Sequence, residues 1–223
     1  FCIGAGLGFL VFGKAIGWAL ESFEVPVRYL FTGAVLGGLP LLFRKSTVKK
    51  SGKDIAVAII SFVLGAAVVF AISFLPKTTA FSEIKFDFGG ILLLLLTGII
   101  IAVALVLPGI STSHMLIIMG VYYTIIEHPL QNLGLIAVLG ISTIIGILII
   151  TRFLEFLLNR FPVATYFCII GFVLGSLKQL LFNDEKAYYV IPQGSEWVVA
   201  ILAAALGFAA TYFLSKREAK SEG

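Results

Sequence analysis

The stretch 107–115 interrupts a long apolar run with a helix-breaking pair and a group of polar side chains. Pro108 has no backbone N–H and Gly109 permits a tight reversal, so this pair predicts the end of a helix. The polar side chains that follow are Ser111, Thr112, Ser113 and His114. A hydroxyl here would cap the next helix, whose first N–H groups lack partners and carry partial positive charge. Because such a helix end binds phosphate or carboxylate, Pro108 to His114 predict a substrate-binding anion site.

Two alternatives stay open for this motif. Proline kinks occur in membrane helices without any ligand, and the hydroxyls would then only satisfy the interrupted backbone. His114 either donates to a bound phosphate and titrates near neutral pH, or is a buried histidine that its neighbours satisfy.

Lys14 and Arg152 are the second feature that predicts anion binding. Arg152 lies eight residues before Arg160, which is ~12 Å along a helix. A cation at that depth costs ~2.5–3.5 kcal/mol and tends to face a cavity or a partner. The presence of a cation at this depth would also be explained if its side chain extended to the membrane interface, or if Arg152 paired with Glu155. We expect Lys14 and Arg152 to face a central cavity and attract an anionic head group.

The composition places these residues in a membrane. Of the 223 residues, 60% are hydrophobic and 13% are charged, whereas an ordinary soluble domain is about 25% charged. The net charge of +4 resides in loops and the tail, which indicates membrane orientation and not nucleic-acid binding. Cys2 and Cys168 lie in apolar runs without metal-ligand spacing, so we expect no metal site. We also expect no cofactor and no catalytic residue.

Apolar stretches of about 20 residues predict an all-α, polytopic fold. The predicted spans are 1–20, 25–43, 55–75, 88–107, 131–158, 163–182 and 196–214, with a shorter apolar segment at 112–127. Loop 44–54 has five cations and one anion, and the tail after Leu214 is also cationic, so both are expected in the cytoplasm. Loops 76–87 and 183–195 are then external. Segments 88–107 and 112–127 must therefore enter the membrane and return to the external side, as a re-entrant hairpin broken at Pro108.

An internal repeat relates residues 8–41 to residues 146–179. Gly8 pairs with Gly146 at an offset of 138 residues, and Lys14 pairs with Arg152 at the same offset. The charge rule makes the two copies run in opposite directions, which is typical of secondary transporters with a binding site near the bilayer midplane. The prediction is one transmembrane domain over 1–223. In it, 1–45 ends a first repeat whose start is missing, and 88–182 forms the second, inverted repeat.

The segments ALVLPGISTSHMLIIMGVY and RFPVATYFCIIGFVLGSLKQLLF resemble the bacterial polyprenyl-phosphate transporter family. The family signature, Pro-Gly-Val/Ile-Ser once per repeat, is matched by the stretch from Pro108 to Ser111. The sequence departs from the family where Thr112, Ser113 and His114 follow. The resemblance implies a flippase that moves an anionic polyprenyl-phosphate lipid, such as undecaprenyl phosphate, across the bacterial cytoplasmic membrane. A cavity open sideways to the membrane lipids would hold the lipid, and the coupling ion, proton or sodium, is left open.

Two other functions would also place polar residues inside a membrane protein. The motif also resembles the Pro-x-Ser-Ser-Thr-Gly-His region of undecaprenyl-diphosphate phosphatases, so a membrane-embedded phosphatase is the alternative. No paired carboxylates precede Pro108 and no arginine lies within 108–127, where that enzyme class needs them. A channel would need rings of like charge, and two membrane cations are too few. We therefore predict a transporter and not an enzyme.

Overall fold

The computed structural model describes residues 15–46, 52–75, 84, 86–107, 112–122, 124–125, 131–183 and 188–221. Its helices are α1 Glu24–Lys45, α2 Gly52–Ser73, α3 Phe88–Val106, α4 Thr112–Ile118, α5 Leu133–Arg160, α6 Pro162–Leu181 and α7 Glu196–Ser221. Two short antiparallel strands, β1 Phe182–Asn183 and β2 Tyr188–Tyr189, join α6 to α7. Residues 15–22 are also helical. The all-α fold class is confirmed.

Within the described residues, six helices are long and apolar enough to cross a membrane, namely α1, α2, α3, α5, α6 and α7. The polytopic membrane class is therefore confirmed. The predicted starts and ends agree with these helices to within three residues, except at the end of α7. That helix continues from Leu214 to Ser221 because Lys, Arg, Glu and Ala, which follow, are strong helix formers. With 28 residues, α5 is roughly 42 Å long.

Helical structure stops between α3 and α4. Helix α3 ends at Val106, and Leu107 has extended backbone with φ −91° and ψ 121°. Helix α4 is shorter than the apolar segment 112–127 suggested, because Gly120 ends it with φ 71°. The Val121 N–H donates to the Leu116 carbonyl and the Gly120 N–H to the Ile117 carbonyl, both at 3.0 Å. This is the hydrogen-bond pattern of a glycine helix stop.

The chain forms two compact units, one from described residues up to Lys45 and from Leu177 onward, the other Ser46–Ser176. In the first unit, α1 packs against α7. A side chain at Gly33 would meet the backbone of Ala204, one at Gly37 that of Phe208, and one at Gly207 that of Leu30. Glycine therefore lets these backbones touch, as in membrane helix pairs. The contacts advance together along both helices, so α1 and α7 are parallel.

In the second unit, α2 and α6 make the same kind of crossing. A side chain at Gly171 would meet the backbone of Phe62, one at Gly175 that of Ala66, and one at Gly65 that of Cys168. Gly171, Gly175 and Cys168 are the positions at offset 138 from Gly33, Gly37 and Leu30. Each crossing in the first unit therefore has a counterpart in the second, at the residues that the sequence repeat pairs. Helices α2 and α6 are also parallel.

A third crossing joins α3 to α5 in the second unit. A side chain at Gly98 would collide with Ser142, and one at Gly146 would meet Ala102. The Ser142 hydroxyl is 2.9 Å from the Leu139 carbonyl oxygen and 3.2 Å from that of Leu94, on the facing helix. Contacts again advance together, so α3 and α5 run parallel.

Candidate functional site

The predicted anion site lies at the interruption between α3 and α4. Residues 108–111 lie outside the described residues, which places Pro108, Gly109 and Ser111 there. Thr112 and Ser113 open α4, with Thr112 half-buried and Ser113 exposed. The backbone of His114 is helical, but its side chain is outside the description. The described residues thus include a helix end, Thr112 and Ser113 at the predicted position.

Apolar packing fixes where the helix end lies. Met115 is buried directly after the polar residues, and α4 packs against α3. Leu116 and Met119 contact a buried cluster that includes Leu94, Ile101 and Val121. The polar start of α4 is therefore anchored to the wall of α3, because the residues one turn further on belong to the core.

Arg152 lies near the level at which α3 ends. The crossing of α3 and α5 pairs Gly98 with Ser142 and Ala102 with Gly146, which is a constant offset of 44 residues. Continued to the last residue of α3, this offset pairs Val106 with Ile150, so Arg152 lies about two residues further along α5. The cation is therefore close in depth to the helix end that precedes the predicted anion site.

Arg152 is exposed and lies on the far side of α5 from the cleft described below. Among the described residues it forms no ion pair with Glu155, which is also exposed. Lys14 lies outside the described residues. Among the described residues, nothing brings Arg152 into contact with Thr112 or Ser113.

An apolar cleft of about 470 Å³ opens beside the end of α3. We name it the apolar cleft, and it is formed by α2, α5 and α6 together with Val103 and Leu107 of the α3 end. Its α5 wall is a helical stripe made of Ile150, Phe153, Leu154 and Leu157. Leu107, the residue before Pro108, lines the cleft, so the cleft adjoins the predicted anion site in the chain.

The apolar cleft has few polar side chains. Those that line it are Ser61, Thr165 and Cys168, and none of the lining residues is charged. The Thr165 hydroxyl is 2.9 Å from the Phe161 carbonyl and 3.1 Å from the Leu157 carbonyl, so the helix backbone satisfies it. A hydrocarbon fits such a cleft, whereas a charged group would lose its water without replacement.

A polar cluster that the sequence analysis missed surrounds Arg28 in the first unit. Its Nε donates to the Glu24 carboxylate at 3.2 Å, and one terminal nitrogen donates to the carbonyls of Leu180 and Phe182 at 3.0 Å each. The Tyr188 hydroxyl donates to the other Glu24 oxygen at 2.8 Å. Arg28 thereby ties the start of α1 to the end of α6 and to the strand pair.

This cluster borders a polar cleft of about 690 Å³, lined in part by Glu21, Glu24 and Glu196. The hydrogen bond to Glu24, with burial and the negative charge of Glu24, raises the pKa of Tyr188, while the charge of Arg28 lowers it. Among the described residues, no group of three or more His, Cys, Asp or Glu side chains is placed to hold a metal ion.

The sequence carried a signal for Arg28 and a weaker one for the apolar cleft. Glu24 and Arg28 have the i, i+4 spacing of a helical ion pair, but Arg28 sits at the edge of a predicted span and was not singled out. The cleft is formed by ordinary apolar residues from four elements, and only their packing in three dimensions distinguishes them from lipid-facing residues.

Comparisons with known proteins find one matching family model and two related transporters. A family model described as undecaprenyl phosphate translocase-like matches residues 1–198. A polyprenyl-phosphate transporter of Staphylococcus aureus is 24% identical over 214 residues, covering 92% of this chain and 73% of the relative. A polyprenyl-phosphate transporter of Vibrio cholerae is 25% identical over 187 residues, covering 83% of this chain and 56% of the relative. No solved structure matches the chain.

Proposed function

The chain belongs to the undecaprenyl phosphate translocase-like family, and from this membership we propose that it moves undecaprenyl phosphate or a related polyprenyl phosphate across the bilayer. The observation that carries the proposal is that α3 ends at the apolar cleft, which Leu107 lines, and that α4 then begins with Thr112 and Ser113. A polar helix start suits the phosphate, and an adjoining apolar surface suits the tail. The lipid leaves chemically unchanged, so the proposed activity is transport and not hydrolysis.

The head group sets the barrier that the protein lowers. A phosphate loses its water in the hydrocarbon layer, where an uncompensated charge costs several kcal/mol or more. We propose that the hydroxyls of Ser111, Thr112 and Ser113, with the free backbone N–H groups around them, replace that water. Pro108 and Gly109 would keep those N–H groups free by ending the preceding helix. His114 would be a further hydrogen-bond donor. Non-helical backbone at membrane depth must line a cavity or be buried in protein, which is the setting this role requires.

We further propose that Arg152 supplies positive charge at the depth of the break, with Lys14 as its counterpart in the repeat. The position of Arg152 near the level at which α3 ends supports this role. Because Arg152 lies on the far side of α5 from the apolar cleft, it would act on the head group through its electrostatic potential and would not contact the tail. Neutralising Arg152 alone is then expected to slow head-group passage without changing contacts made by the tail.

The orientation in the bacterial cytoplasmic membrane is also a proposal. Arg44 and Lys45 end α1, and Lys216 and Arg217 lie near the end of α7, which runs parallel to it. Two parallel helices that both end in cations fit a cytoplasmic location for loop 44–54 and the tail. Helices α2 and α6 would then run outward. Since α1 and α6 are repeat partners, this arrangement supports the inverted repeat.

Reconstitution tests the proposal. The full-length protein is placed in liposomes that contain a fluorescent polyprenyl phosphate, and the fraction accessible to a membrane-impermeant quencher is followed over time. We expect faster equilibration between leaflets than in protein-free liposomes, and no release of inorganic phosphate. Equilibration no faster than in empty liposomes would refute the proposal, and release of phosphate from a polyprenyl diphosphate would favour the phosphatase alternative.

The same vesicles test the coupling ion. We propose that a proton or sodium gradient drives net movement. Imposing each gradient separately is expected to make one of them shift the final distribution between leaflets. Equal distribution under both gradients would mean that the protein only equilibrates the lipid.

A further inference from the structure

The apolar cleft has the properties of a site for a hydrocarbon chain. Its volume of about 470 Å³ falls within the range of about 300–1,000 Å³ that small-molecule sites occupy. Its walls come from helices held by glycine crossings, since Gly65 and Gly171 keep α2 and α6 in backbone contact. The cleft is therefore a fixed feature of the second unit, because the helices that form two of its walls cannot slide without breaking that contact.

The position of the cleft selects its occupant. Leu107 lines the cleft and directly precedes Pro108, at which the proposed head-group site begins. A tail attached to a phosphate at the break would therefore start beside Leu107. The α5 stripe then continues from Phe153 to Leu157, so it offers an apolar path along the helix away from the break.

The chemistry of the cleft excludes a second head group. The Thr165 hydroxyl is already bonded to its own helix backbone, and no charged residue lines the cleft. A ligand there gains only from packing, because surrounding lipid is as apolar as the cleft. Packing against a shaped wall distinguishes a methyl-branched isoprenoid from a straight acyl chain, since each misplaced carbon loses its contacts.

We infer that the apolar cleft binds the isoprene units nearest the phosphate and so selects the tail of the transported lipid. This inference rests on the proposed function, because it takes the polyprenyl phosphate as the cargo. It assigns Leu107, Phe153, Leu157 and Cys168 a role in tail recognition that is separate from the head-group residues.

Photo-crosslinking tests the occupant directly. A polyprenyl phosphate that carries a diazirine in its first isoprene units is bound to the full-length protein in liposomes. The liposomes are irradiated, and mass spectrometry maps the adducts. We expect adducts on cleft residues such as Phe153 and Cys168, with competition by unlabelled polyprenyl phosphate and free polyprenol. Adducts confined to lipid-facing residues of α7, or cleft adducts that an excess of unlabelled polyprenyl phosphate does not reduce, would overturn the inference.

A pair of variants tests the role in transport. Ala164 lines the cleft and Ala67 is exposed on α2, so Ala164→Phe fills the cleft while Ala67→Phe adds the same ring to a lipid-facing surface. Excluding part of the tail is expected to slow transport several-fold in Ala164→Phe, because the displaced carbons lose their packing contacts with the cleft wall. Ala67→Phe should match the unmodified protein. Ala164→Leu, a smaller change, should give a smaller loss in the same direction.

The outcomes separate the two hypotheses. If the unmodified protein moves the phosphate lipid and Ala164→Phe moves it equally fast, the tail site is wrong and the proposed function stands. If the unmodified protein moves no lipid, yet the diazirine adducts fall in the cleft, the cleft binds isoprenoids and the proposed transport fails.

Discussion

Replacing Arg28 by methionine should loosen the start of α1 from the end of α6. Methionine keeps an apolar stem but removes every donor that Arg28 directs at Glu24, Leu180 and Phe182. The Arg28 side chain is 18% exposed, so these bonds are only partly shared with water. The two carbonyls that lose their partner are those of Leu180, at the end of α6, and Phe182, in β1.

The magnitude follows from the individual bonds. A hydrogen bond from a charged donor contributes about 1.5–3 kcal/mol, and the partly exposed ion pair to Glu24 adds about 0.2–1 kcal/mol. Water reaches the half-buried carbonyls in the variant and offsets part of the loss. We therefore expect Arg28→Met to lower the free energy of unfolding by about 2–4 kcal/mol. Arg28→Lys should cost about half as much, because its single nitrogen cannot serve the two carbonyls and Glu24 together.

The assay is equilibrium unfolding in mixed micelles, in a Trp18→Phe background that leaves Trp197 as the fluorescent reporter. Trp197 stacks edge-on against Tyr29 next to the cluster, with ring centres 6.4 Å apart, so it senses this region. Arg44→Met is the matched control, because Arg44 is an exposed cation at the other end of α1 and should cost well under about 1 kcal/mol. Equal destabilisation by Arg28→Met and Arg44→Met would show that the Arg28 bonds contribute nothing.

Three further predictions concern packing and pH. Gly171→Ala should destabilise by about 1–3 kcal/mol, because its methyl group meets the backbone of Phe62. Gly140→Ala, which meets nothing within 4 Å, should be neutral or stabilising by up to about 1 kcal/mol. Thermal unfolding in detergent compares the two. Ser142→Ala should cost only about 0.5–1.5 kcal/mol, while Ser142→Val should cost more, since it also collides with Gly98. In Tyr188→Phe, the pH dependence of unfolding should flatten above about pH 10. The protonated Tyr188 hydroxyl donates to the Glu24 carboxylate and its pKa is raised, so its stabilisation is present below its ordinary pKa and lost as pH rises through the raised one. Identical pH profiles for the two proteins would contradict this.

Much of the fold could be predicted because a membrane restricts what a chain can do. Each span must satisfy its own backbone, so apolar length alone located α1, α2, α3, α5 and α6 within three residues. The Pro108–Gly109 pair likewise predicted an interruption, and α3 ends at Val106 with α4 beginning at Thr112. Local chemistry decides these features, and local chemistry can be read from a sequence.

Apolar length does not reveal the remaining features. Gly120 stops α4 through a positive φ, whereas hydropathy continued to residue 127. The strands β1 and β2 are two residues each, too short for any alternation to predict them. The face of α5 that carries Arg152 was predicted to meet a cavity. Among the described residues, the packing with α3 and the apolar cleft involves other positions of α5, and Arg152 is exposed. The role of Arg152 in binding stays a prediction.

The central claim is that a phosphate crosses the membrane at the α3–α4 break. The most direct measurement compares leaflet exchange of a polyprenyl phosphate and of the uncharged polyprenol with the same tail, for the unmodified protein and for Thr112→Val and Ser113→Ala. Both substitutions remove a hydroxyl at the break while retaining a similar or smaller side chain. We predict that the unmodified protein accelerates exchange of the phosphate lipid, and that the variants lose this acceleration while the spontaneous exchange of polyprenol is unchanged. Equal rates for the phosphate lipid in all three proteins would contradict a role for the break.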